Sequence, residues 1–88
     1  MEERFFLYDD KEDTKTRFVS FVVENYRFDL AIIRSDRHYG KSLVLDMQRN
    51  RFAIIGQDDL EEEGYLEYAF NLNEEEAKEL RSFLMEIV

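Results

Sequence analysis

The sequence predicts an α+β domain: an antiparallel β-meander of about five strands with one C-terminal α-helix packed on one face. Three observations predict it. Apolar residues alternate with a period of two through the middle of the chain, and the gaps between these runs are too short for anything but antiparallel connections. A capped segment with helical periodicity then closes the sequence. With 88 residues, 44% of them apolar and including eight Phe and five Tyr, the chain is expected to fold as one domain over residues 1–88.

The elements follow in order. Arg4-Phe5-Phe6-Leu7-Tyr8 reads as a short first strand, ended by the polar run Asp9 to Thr14. Arg17 to Val23 is rich in β-branched and aromatic residues, as a strand requires, and Glu24 to Arg27 reads as a turn. Phe28, Leu30 and Ile32 then alternate with Asp29, Ala31 and Ile33. After a connection from Ser35 to Lys41, Leu43, Leu45 and Met47 alternate with Ser42, Val44 and Asp46. Arg49-Asn50 makes a tight link, since Asn tolerates positive φ, and Phe52 and Ile54 continue against Ala53 and Ile55. Gln57 to Gly64 is an acidic connection with a helical turn near Asp58-Asp59-Leu60. Leu66, Tyr68, Phe70 and Leu72 suggest another strand. Asn73 and Glu76 then form a capping box, and Ala77, Leu80, Leu84 and Ile87 follow on one helical stripe.

A single helix of about 15 residues, roughly 22 Å long, covers only one face of a sheet. On the alternation above, the second face still carries Ala31, Ile33, Val44, Ala53 and Ile55. Either the N-terminal strand and the 57–64 connection cover them, or a second copy of the chain does, since exposed apolar patches mark interfaces. The surplus of aromatics favours a homodimer.

Composition excludes several function classes. The absence of cysteine removes disulfides, thiolate metal sites and cysteine nucleophiles, and points to the cytoplasm. No signal peptide follows the charged start Met1-Glu2-Glu3-Arg4, and no run approaches the roughly 20 apolar residues of a membrane span. The net charge of −9 disfavours duplex DNA as a partner. That charge is uneven: residues 14–56 carry eight bases against four acids, whereas residues 57–88 carry eleven acids against two bases.

The basic middle contains the one segment that suggests binding chemistry. Arg34, Arg37, His38 and Lys41 lie in one strand-to-strand connection, where they could converge on a phosphate or another anion. The alternative is a solvated loop whose bases pair with acids elsewhere. Gly40-Lys41-Ser42 is similar to the end of a phosphate-binding loop. Ser35 stands where that motif needs glycine, and a strand rather than a helix follows. His38 lacks a recognisable nucleophile, and the acids at 58–63 lack EF-hand spacing, so neither a catalytic site, a metal site nor a cofactor is expected. Phe18, Phe21, Phe28 and Phe52 read as core residues rather than a base-stacking platform.

From Arg27 through Leu80, over RFDLAIIRSDRHYGKSLVLDMQ, RFAIIGQDDLEEEGYLEYAFNL and NEEEAKEL, the chain resembles a small uncharacterised family of cytosolic proteins from Gram-positive bacteria (Firmicutes). The resemblance implies a compact domain of about this length and carries no catalytic residue. The residues therefore point to a non-enzymatic protein-interaction module, homodimeric or docking an unknown protein partner. Anion binding through the Arg34–Lys41 loop is the alternative.

Overall fold

The computed structural model describes residues 3–88; Met1 and Glu2 of the charged start lie outside them. Four strands form one antiparallel sheet in the order β1-β2-β3-β4: β1 (Lys15–Val23), β2 (Tyr26–Arg34), β3 (Ser42–Asp46) and β4 (Arg51–Ile55). Three helices follow: α1 (Gln57–Glu61), α2 (Tyr65–Phe70) and α3 (Glu74–Ile87). The meander is as predicted, but its strands number four rather than about five.

Two predicted strands are absent for different reasons. Residues 4–8 join no strand: Phe5 to Tyr8 are all exposed and none is paired with a sheet edge. Their apolar run does not alternate, so it offers no face to bury. Residues 65–70 are helical. Gly64 (φ 81°) and Asn71 (φ 56°) bracket the segment in left-handed backbone, and the Leu72 N–H closes it by donating to the Glu67 carbonyl at 3.0 Å. Leu66 and Phe70, four residues apart, are buried while Tyr68 between them points outward, which is helical spacing rather than alternation.

The buried side chains form one cluster. Phe28, Leu30 and Ile32 of β2, Val44 of β3 and Ile55 of β4 pack with Leu60 of α1, Leu66 and Phe70 of α2, and Ala77, Leu80 and Leu84 of α3. At its edge the Phe21 ring stacks on Phe28, with centroids 5.3 Å apart, and meets Phe83 of α3 at 4.9 Å. The predicted capping box holds: the Glu76 N–H donates to Asn73 Oδ1 at 2.8 Å, and the Asn73 N–H donates to Glu76 Oε1 at 3.1 Å. At the other end of α3, Arg34 Nη2 donates to the Ile87 carbonyl at 2.6 Å, placing a cation on the negative end of the helix dipole.

Arg49 ties the β3–β4 hairpin to α3. Its guanidinium reaches the fully buried Asp46 at 3.0 Å and Glu76 at 2.8 Å, and lies 4.9 Å from the centroid of the Phe28 ring. Burial works against its charge, but the bond to Glu76 and the field of Asp46 outweigh it, so the guanidinium's pKa is raised. The β1–β2 hairpin turns on two residues, Glu24 (φ 51°) and Asn25 (φ 71°), the doubly positive geometry of a type I′ turn. No helix among the described residues is long and apolar enough to cross a membrane.

Candidate interaction surface

Strand register decides which side chains share a face, because directly opposed residues in an antiparallel pair point the same way. Ile32 pairs with Val44, Val44 with Ala53, and Ser42 with Ile55. All of these lie on the helix-covered side. The expected second-face set is thus corrected: Val44, Ala53 and Ile55 belong to the core side, and only Ala31 and Ile33 lie opposite. Leu43, Val44 and Leu45 are all apolar, so parity alone does not orient β3. Asp46 suggested that Val44's side was the wet one, yet Asp46 is buried against Arg49.

The uncovered face has two complete cross-strand rows. Phe18, Ala31, Leu45 and Phe52 form one, and Thr16, Ile33, Leu43 and Ile54 the other. Phe18 is 74% and Phe52 70% exposed, so two of the four aromatics expected in the core stand in water. Ala31 is buried without belonging to the main cluster, and its cross-strand neighbours on this face are Phe18 and Leu45. The next row is polar. Ser20 donates to Asp29 at 2.6 Å and Arg27 pairs with Asp29 at 3.1 Å, which together hold the Asp29 pKa down, the Ser20 bond most of all. Among the described residues, Arg27 and Asp29 are the only charged strand residues on this face, and they cancel.

Neither segment expected to cover that face does so. The 57–64 connection forms α1, whose Leu60 is buried in the core on the opposite side. The N-terminal segment instead runs to the loop between β2 and β3, which carries a 3₁₀ turn at Asp36–His38. There Glu12 accepts a hydrogen bond from Ser35 and lies 3.8 Å from Arg37, while Arg37 sits 5.1 Å from the centre of the Tyr8 ring.

The loop's four candidate anion ligands are therefore occupied or dispersed. Arg34 holds the end of α3, and Arg37 meets Glu12 and Tyr8. Lys41 Nζ reaches Asp59 at 3.0 Å and Asp58 at 3.4 Å; the bond to Asp59 leads in raising the Lys41 pKa. Burial pushes the Asp59 carboxyl up, but the Gly56 N–H, donating at 2.8 Å, and Lys41 together leave it lowered. The half-buried His38 contributes its carbonyl to Lys41 N–H at 3.0 Å. Arg34 and Lys41 line a common cleft of about 630 Å³ with Lys15, Asp13 and Asp36; Arg37 and His38 do not line it.

A family model described as SAV0927-like matches residues 7–86, which takes in the whole sheet, all of the loop and nearly all of α3. The chain belongs to the SAV0927-like family. The family is one of unknown function, so membership leaves the surface itself to carry the functional reading. No curated protein matches the chain. The span matched by the SAV0927-like model contains both apolar rows of the uncovered face.

Proposed function

We propose that this member of the SAV0927-like family is a non-enzymatic protein-interaction module that self-associates through the uncovered face of its sheet. The single observation behind the reading is the pair of apolar rows from Phe18 to Phe52 and from Thr16 to Ile54, left open by three helices that all contribute to the core on the other side. An exposed apolar patch of a few hundred Å² is often a functional surface. The charge distribution favours a second copy as the occupant. The acids of residues 57–88 belong to the helices and their connections, so copies that meet at the uncovered face keep their most acidic layers apart.

Multi-angle light scattering coupled to gel filtration tests the reading. The full chain is expected to run as a dimer, with Phe52→Glu and Phe18→Glu each shifting it to monomer. Tyr68→Glu, placed on an exposed α2 residue away from that face, is the control and should leave the dimer intact. A wild-type chain that stays monomeric at every soluble concentration would falsify the reading.

Anion binding is the second reading, favoured by one observation: Lys15, Arg34 and Lys41 line the same cleft. It ranks lower because Arg34 and Lys41 already have partners within the chain. Under this reading inorganic phosphate or a nucleotide would raise the melting temperature, and Lys41→Ala would remove the rise.

A further inference from the structure

The uncovered face lacks a cover, and the chain carries a second apolar element that lacks a site. Phe5 and Leu7 are each 89% exposed and Phe6 62%, with no charge among the three. This arm is fixed at one end. The Tyr8 ring lies against Arg37, and Glu12 is held by Ser35 and Arg37 at the loop between β2 and β3. The described residues span 51 × 29 × 24 Å, so the chain is drawn out along one axis rather than rounded. Within one copy, arm and face are both wet.

We propose that the arm Phe5–Leu7 of each copy docks on the uncovered sheet face of a second copy, an exchange that buries both. The inference rests on the self-association reading above and specifies what fills the face. Three arguments carry it. The first is span: three residues beyond the Tyr8 anchor extend about 10 Å, which is two strand spacings of about 4.8 Å, enough to cross three strands. The second is area. Four strands with five residues each present a footprint on the order of 350 Å², well below the roughly 800 Å² per partner of a stable interface. The three arm side chains add on the order of 400 Å², which closes most of that gap. The third is charge, because an uncharged arm meets a face whose only two charges cancel. Exchange between identical copies also gives a closed, isologous pair rather than a growing fibre.

The chain has no cysteine, so introduced ones report contacts without background. Leu7→Cys and Phe52→Cys chains, distinguished by a mass tag, are mixed and oxidised, and the Phe5→Asp/Leu7→Asp double variant is sized beside wild type. The expected result is a mixed disulfide between copies, with the double variant's dimer dissociation constant raised about tenfold or more. A dimer that needs Phe52 but ignores the arm substitutions would overturn the exchange while leaving self-association standing. A Leu7→Cys/Phe52→Cys chain that closes only on itself would overturn it too, placing the arm on its own sheet. A monomeric wild type removes the parent reading and the exchange together.

Discussion

At the scale of single residues, Glu24 holds one of the two left-handed positions, with Tyr39, that fall on neither Gly nor Asn among the described residues. A type I′ turn asks both central residues for positive φ, which suits Asn and Gly and costs other L-residues on the order of 1 kcal/mol. Asn25 meets the demand and Glu24 does not. Glu24→Asn is therefore expected to stabilise the chain by about 0.5 kcal/mol, read as a higher urea midpoint with unchanged slope. Glu76 makes a second residue-level case, in which charge matters. The Asn73 N–H and, secondarily, Arg49 lower its pKa below the ordinary 4.5, while partial burial opposes them. A carboxyl whose folded pKa is depressed adds stability that is full above its unfolded pKa and is lost as pH falls through the folded value. Glu76→Gln should accordingly melt below wild type near neutral pH, with the difference shrinking once the pH falls well under 4.5. A difference that stays constant with pH would assign the effect to shape rather than charge.

At the scale of elements, Arg49 is the joint between hairpin and helix. Replacing it with Ala leaves the fully buried Asp46 without its counter-ion and frees Glu76. Breaking a buried pair from one side costs about 3 kcal/mol or more, and Lys does not restore a fork that serves two carboxylates at once. Arg49→Ala and Arg49→Lys should thus both lower the urea midpoint, with Ala the worse. How much of each element was legible in the sequence follows from how local its signal is, and the Arg49 joint accounts for the part of β3 that was not. α3 was legible because Asn73 and Glu76 are a local signal whose meaning survives any tertiary context. The three central strands were legible from alternation, and the positive φ of Asn50 from its type. The orientation of β3 was not, because a buried Asp46 looks like a solvent-facing one until Arg49, three residues on, is seen to fold back over it. α2 was missed because six residues fit a period of two and a period of 3.6 alike; only Gly64 and Asn71 in left-handed backbone distinguish them. The alternation puts Ala31, Ile33, Val44, Ala53 and Ile55 on the uncovered face, and only Ala31 and Ile33 of these lie there. The other apolar residues of its two rows, Phe18, Phe52, Leu43, Leu45 and Ile54, required the register.

At the scale of the whole molecule, a chain of net charge −9 that associates must do so against its own field. That opposition separates the two functional readings by the sign of a salt effect. Docking through a face whose charges cancel gains nothing from Coulomb attraction, while the acidic helices of two copies repel across the assembly. Screening removes that repulsion: the Debye length falls from about 30 Å at 0.01 M salt to about 10 Å at 0.1 M. Self-association through the sheet face should therefore tighten as salt is added over this range, and the melting temperature should rise with protein concentration, as mass action requires for a folded dimer. Phe52→Glu should abolish the concentration dependence without unfolding the chain, since the ring it removes is largely in water. Contacts made through the bases of the Arg34–Lys41 loop predict the reverse, because attraction between that loop and acids or phosphates weakens as the same salt screens it. Sedimentation equilibrium across a salt series reads the sign directly, and association that loosens with salt would move the functional surface from the sheet to the loop.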